Sequence, residues 1–249
     1  MVYLEQLMTE YRGAVLIIGS LWWDTLEIRN TWRIDRLKEN VQKVYAPIRY
    51  GKSSKTWGYT YTMVFSQLCY RKGYGLGTAI LVPFKKSINS AGDLIKEAAE
   101  LWKAEKKARE NRSLEVSLGW GAVGLKVKPG LEISDKIVQG WVKHYREQTV
   151  TFQQAQLKTE KAIIDDDGFL QIRWLNIVEK NTPVEFDFVL ATATQPTLEN
   201  GKYPSARLIA HAWCNDNQDN VRYFRNNLAK GITTFQDGTI SRFMETNGE

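Results

Sequence analysis

The chain has 249 residues, with 34 Lys and Arg against 28 Asp and Glu for a formal charge of +6, and it is 43% hydrophobic, 25% charged and 12% aromatic. That hydrophobic content excludes a disordered chain, ordinary Gly and Pro usage excludes collagen-like and linker-type chains, and no apolar run approaches the roughly 18 residues of a membrane-crossing helix. The length permits one large domain or two small ones around a substantial core.

The opening Met-Val-Tyr-Leu-Glu-Gln-Leu has neither a basic leader nor an apolar h-region, so no secretory signal is expected. Ala14–Ile18 is a continuous apolar, β-branched run, the pattern of a strand buried on both faces, and it stops at Gly19-Ser20. A short helix is predicted within Asn30–Val41 and strands over Thr56–Phe65 and Gly75–Val82, the last stopped by Pro83. Asn89-Ser90-Ala-Gly-Asp93 supplies capping residues for an amphipathic helix running to about Arg112, its apolar side built from Leu94, Ala98, Leu101 and Ala108. Gly121–Val127 reads as a strand closed by Lys128-Pro-Gly130, and Ser134 to about Leu157 as a helix of mixed charge. Asp165-Asp-Asp-Gly168 marks a tight turn whose spacing is not that of a calcium-binding loop. Strands at Phe169–Val178 and Glu185–Thr194 flank Lys180-Asn-Thr-Pro183 as a hairpin, and helices are predicted at Ser205–Cys214 and Asp219–Lys230. No repeat, low-complexity tract or linker interrupts them. Interspersed strands and helices without a regular βαβ period indicate one α+β domain spanning 1–249.

Few residues are available for nucleophilic or metal chemistry. Two cysteines, Cys69 and Cys214, form no disulfide framework and fit a reducing, cytoplasmic setting. Only two histidines, His144 and His211, are present, and no CxxC or HExxH occurs, so no metal site is expected. His211 and Cys214 are three apart and would share a helix face, which permits a catalytic pair without establishing one. The run Gly73-Tyr-Gly-Leu-Gly77 precedes a strand instead of joining a strand to a helix, so it reads as a bend and not as a phosphate loop.

Three features carry more chemistry. Arg49-Tyr-Gly-Lys-Ser-Ser-Lys-Thr-Trp57 concentrates cations among small and aromatic residues, as an anion-binding loop, a nucleic-acid strip or a basic surface turn does. No nucleic-acid module accompanies it, and charge alone does not make this a nucleic-acid protein. Gly19-Ser20-Leu21, at the end of a buried strand, lets the backbone turn sharply and aim its N–H groups at one spot, either as an anion site or simply as a bend. Glu105 falls on the helical stripe through Leu94, Ala98 and Leu101, with Glu97 at the stripe's edge. A carboxylate facing the core is costly unless paired or functional, and burial would raise its pKa towards that of a general base; the other reading is a frayed helix end pairing with Arg109.

Gly19-Ser20-Leu21-Trp22-Trp23 after an apolar strand resembles the Tyr-Gly-Ser-Leu-x-Trp signature of the ChaC-type gamma-glutamylcyclotransferases. In order along the chain, Arg49-Tyr50 with Ser53-Ser54, Gly77–Val82, Leu101-Trp-Lys-Ala-Glu105, and Ile209–Ala212 with Asp219–Phe224 are similar to further segments of that family, a likeness spread over roughly residues 14–241. Ile18 stands where the family has Tyr, the usual sequence after the Glu is absent, and about forty residues near 128–168 look inserted. The resemblance implies a mixed β-barrel or sheet with flanking helices and cyclisation of a gamma-glutamyl amine to 5-oxoproline without a cofactor. In that reading Glu105 is the base, and Gly19, Ser20, Leu21, Trp22, Arg49 and Ser53 bind the anionic substrate. The alternative is a non-catalytic protein on the same fold that holds an anionic small ligand such as a nucleotide, with Trp22, Trp23 and Trp57 helping to clasp it. Single-stranded nucleic-acid binding by the same cations and aromatics is a third reading.

Overall fold

The computed structural model describes residues 10–54, 60–106, 116–117, 120–131, 135–148, 160–214 and 217–246. In chain order these form β1 (Gly13–Ile17), α1 (Glu27–Arg36), β2 (Gln42–Ala46), β3 (Ile48–Ser54), β4 (Thr60–Phe65), β5 (Gly77–Pro83), α2 (Ala91–Lys106), β6 (Val116–Ser117), β7 (Gly121–Val127), α3 (Asp135–Arg146), β8 (Phe188–Thr194), α4 (Ala206–Cys214), α5 (Asn217–Ala229) and α6 (Asp237–Thr246). The class is α+β, as the interspersed pattern predicts.

Six strands make one mixed sheet in the order β2-β5-β1-β8-β7-β6, and β3 pairs with β4 in a separate ribbon. Among the described residues the strands close into no barrel. The wholly apolar β1 is central because both of its edges are paired, with β5 antiparallel and with β8 parallel, and every one of its five residues is buried. Helix α2 lays Leu94, Ala98 and Leu101, all fully buried, against this core. Each buried leucine contributes roughly 1.5–3 kcal/mol of transfer free energy. Its start is a reciprocal cap: the Asp93 N–H donates to Ser90 Oγ at 3.1 Å while Ser90 Oγ donates to the Asp93 carboxylate at 2.8 Å.

Several elements depart from the sequence reading. Helix α1 begins at Glu27, before Asn30, and Leu26 at its N-cap offers no side-chain hydrogen bond, so no capping signal marks the start. Strands β2 and β3 occupy a stretch for which the sequence pattern predicts no strand, and α6 follows the last predicted helix. Phe169–Val178 is not a regular strand and makes only isolated bridges, such as Leu125 with Phe169 and Val44 with Ile177. Residues 55–59, 107–112 and 149–157, into which the strand predicted over Thr56–Phe65 and the helices predicted to about Arg112 and Leu157 extend, lie outside the described residues, as does Trp57.

Between Tyr50 and Lys52 the β3–β4 register slips by one residue: Tyr50 faces Met63, but Lys52 faces Thr62. Neighbouring residues on β4 point to opposite sides of the ribbon, so this bulge turns Lys52 and Ser54 to the face away from Tyr50. Gly51 at the bulge is required by close packing, since a Cβ there would stand 2.5 Å from Val64 Cγ2. Tyr50 itself packs edge-on against Trp213 of α4 at 5.0 Å between ring centres.

Candidate functional site

The chain leaving β1 makes a single helical turn. Trp22 and Trp23 donate their N–H groups to the carbonyls of Gly19 and Ser20, and Asp24 donates to Ser20 as well. The N–H groups of Ser20 and Leu21, which open the turn, donate to no acceptor among the described residues. Gly19 serves close packing here: a Cβ would lie 2.5 Å from the Tyr223 hydroxyl of α5. Two arginines of α1 fix the turn. Arg33 donates to the carbonyl of Leu21 at 2.5 Å and to that of Asp24 at 2.7 Å. Arg29 donates to Ser20 Oγ at 3.0 Å and to the Asp24 carboxylate at 2.9 Å.

Arg29 also reaches α2. Its Nε donates to the Ala104 carbonyl at 3.2 Å, and its guanidinium lies 3.6 Å from Glu105 Oε2. The side chains of Arg29 and Glu105 are 6% and 20% exposed, so the pair is largely withdrawn from water. Glu105 and the Gly19-Ser20-Leu21 turn line one cavity of about 310 Å3. Residues about eighty-five positions apart in the chain therefore meet because Arg29 of α1 holds both the end of α2 and the turn after β1.

The remaining wall comes from β3, β4, β8 and the end of α2: Lys52, Ser54, Thr62, Thr192, Thr194 and Lys106, with Trp120 beside them. Lys52 donates to the Gln195 carbonyl at 3.2 Å, and Lys106 stands 4.5 Å from the centre of the Trp120 ring. Burial, and then the charge of Lys106, lowers the Lys52 ammonium from its ordinary range. Burial pushes the Tyr223 phenol up to about 12, which keeps its hydroxyl protonated at neutral pH.

No protein family, curated protein or solved structure matches the chain. The site is therefore judged on its own chemistry. It combines one carboxylate, three cations, unsatisfied main-chain donors and a phenol in a partly enclosed space, a set suited to holding an anion and moving a proton. Among the described residues no group of three or more His, Cys, Asp and Glu is arranged to hold a metal ion, and no helix is long and apolar enough to cross a membrane.

Of the residues singled out from sequence, Gly19, Ser20, Leu21 and Glu105 share the cavity, while Trp22, Arg49 and Ser53 do not line it. Trp22 packs half-buried against the core. Arg49 is buried beneath rings, its guanidinium 4.3 Å from the centre of Tyr203 and 5.6 Å from that of Phe235, so its cation is engaged in aromatic packing. Ser53 lies on the Tyr50 side of the bulge, and Lys52 and Ser54 take the place expected of it. The most deeply buried carboxylate of α2 is Glu97, not Glu105; it pairs with Arg36 of α1, and burial raises its pKa. His211 and Cys214 sit on an exposed part of α4 away from the cavity. Asp165 builds the expected turn, accepting from the N–H groups of Asp167 and Phe169. Sequence reasoning passes over Arg29 and Tyr223. Nothing in the local sequence marks either of them.

Proposed function

We propose that the chain is a gamma-glutamylcyclotransferase-type enzyme of related fold, which cyclises a gamma-glutamyl amine to 5-oxoproline and releases the free amine. The observation that supports this reading most is the shared cavity: Glu105 lines the same space of about 310 Å3 as Ser20 and Leu21, whose N–H groups donate to no acceptor among the described residues. In the proposed reaction Glu105 takes a proton from the substrate's α-amine, whose nitrogen then attacks the gamma-carbonyl carbon. The N–H groups of Ser20 and Leu21 hold the substrate carboxylate or the oxyanion that develops. As the carbon–nitrogen bond to the departing amine breaks, Glu105 returns the proton to that nitrogen, so the reaction needs no external oxidant or reductant. Arg29 orients Glu105 and Ser20 together. Tyr223 supplies a hydroxyl beside Gly19, next to the place where Ile18 offers none.

A second reading, a binding protein for an anionic small ligand, is favoured by one observation: Glu105 is already engaged by Arg29 at 3.6 Å, as a structural carboxylate would be. Incubation with gamma-glutamyl amines, followed by mass-spectrometric detection of 5-oxoproline, separates the two. Product with stoichiometric free amine supports the enzyme. Saturable binding of the same compounds without product supports the binding protein.

A further inference from the structure

Between Glu39 and Asp93 the chain carries eight Lys and Arg residues and no Asp or Glu. Two of the eight, Arg71 and Lys72, stand on one exposed turn. The chain enters it from a 3-10 helix at Gln67–Tyr70, and the Tyr74 N–H closes it by donating to the Arg71 carbonyl at 3.1 Å. Gly73 is third in the turn at φ +88°, a conformation that glycine takes at no steric cost. Tyr74 is 44% exposed yet held from within. Phe235 meets its ring edge-to-face at 5.6 Å between centres, and the Arg49 guanidinium lies 6.0 Å from its centre. Leu76, two residues on, is exposed as well. A third cation stands at the entrance to the turn. The exposed Arg173 places its guanidinium 4.4 Å from the centre of the Tyr70 ring, and its N–H donates to the Tyr70 hydroxyl at 2.9 Å. Neither Lys72 nor Arg173 enters an ion pair among the described residues.

We infer that the Tyr70–Leu76 turn, with Arg173 beside it, is a binding face for single-stranded nucleic acid. It is independent of the cyclotransferase reading, since none of these residues lines that cavity. Arg71, Lys72 and Arg173 meet backbone phosphates, and a base lies on the exposed side of Tyr74. Positive charge alone would suit any polyanion. The exposed ring decides between them, because every base has a flat π-face to lay on it and an acidic peptide has none. Phe235 and Arg49 already fix Tyr74, so little side-chain freedom is lost on binding.

Fluorescence anisotropy of labelled oligothymidylate and oligouridylate, each of about twelve nucleotides, tests this directly. At least one should bind saturably, with log K falling against log salt at a slope of about −2 for three phosphates, a loss of about twentyfold between roughly 50 and 200 mM. Lys72→Met and Arg173→Met should each make that slope shallower by about 0.7. Tyr74→Ala should weaken binding by about tenfold, and Tyr74→Phe, which keeps the ring, should restore it. Lys72 is at the exposed tip, so its variant keeps the test decisive even where Tyr74→Ala loosens the turn. No saturable binding of either oligonucleotide overturns the proposal. So does displacement by polyglutamate or phosphatidylserine vesicles as effective as by unlabelled oligonucleotide, an affinity unchanged by Tyr74→Ala, or a slope unchanged by Lys72→Met.

Discussion

Arg29 is the residue on which the site turns. One buried guanidinium touches the Ser20 hydroxyl, the Asp24 carboxylate, the Ala104 carbonyl and Glu105, tying the end of β1 to the end of α2. Its removal strands Asp24, which is 8% exposed, as a buried charge without its partner. Breaking a buried pair in this way typically costs about 3–5 kcal/mol. Arg29→Met should lower unfolding free energy by about that much, and adding Asp24→Asn should recover part of the loss. Denaturant titration of the single and double variants measures both; an Arg29→Met protein as stable as the wild type contradicts this role. None of this was legible beforehand, because an arginine in a short helix looks like a solvated charge until its neighbours are known. Glu105, by contrast, shows through the periodicity of the stripe it interrupts. Arg49 misleads for the opposite reason: its sequence neighbours are cations and serines, but its spatial neighbours Tyr203 and Phe235 come from far along the chain.

At the level of elements, what can be read from sequence is what is encoded locally. The apolar run of β1 and the Ser90–Asp93 cap of α2 are such signals. The start of α1, which has no capping side chain, and the face of β3, which is reset by a bulge, are not. Two contacts between elements make predictions. Gly19 of the turn meets Tyr223 of α5, so Gly19→Ala should destabilise by about 1–3 kcal/mol through overpacking. Removing the crowding oxygen with Tyr223→Phe should make the same substitution cost clearly less, and a double-mutant cycle gives the coupling. Purely additive costs would show that the two do not meet. At the head of α6, Asp237 accepts from the Thr234 N–H at 3.0 Å and its hydroxyl at 2.6 Å, yet burial pushes its carboxyl up to about 6 from 3.8. The folded chain then holds a proton there that the unfolded chain has released, so this contribution favours folding below about pH 4 and is lost as pH rises through about 6. The wild type should therefore gain stability relative to Asp237→Asn as pH falls from 7 to 4. A stability difference that stays flat across that range counts against it.

On the scale of the whole molecule, the cavity draws on residues from 16 to 223, gathered by a mixed sheet in which β1 pairs with both its antiparallel neighbour β5 and the distant parallel strand β8. Strand order of this kind has no local signature, and this explains why the α+β class was readable and the site only in part. The formal charge of +6 also takes on a place. The basic segment around Arg49 divides, with Arg49 turned into aromatic packing and Lys52 turned into the cavity. Lys52, Lys106 and Arg29 outnumber the acidic groups of the cavity wall, as a site for an anionic small molecule requires. The central claim is that Glu105 and the Ser20–Leu21 turn act on one substrate. Its most direct test is the rate of 5-oxoproline formation from gamma-glutamyl amines by the wild type and by Glu105→Gln at matched folded fraction. Loss of a positioned base predicts a fall of about 10²–10⁴-fold in kcat for the glutamine variant. Equal rates from both proteins, or no product from either, would contradict it.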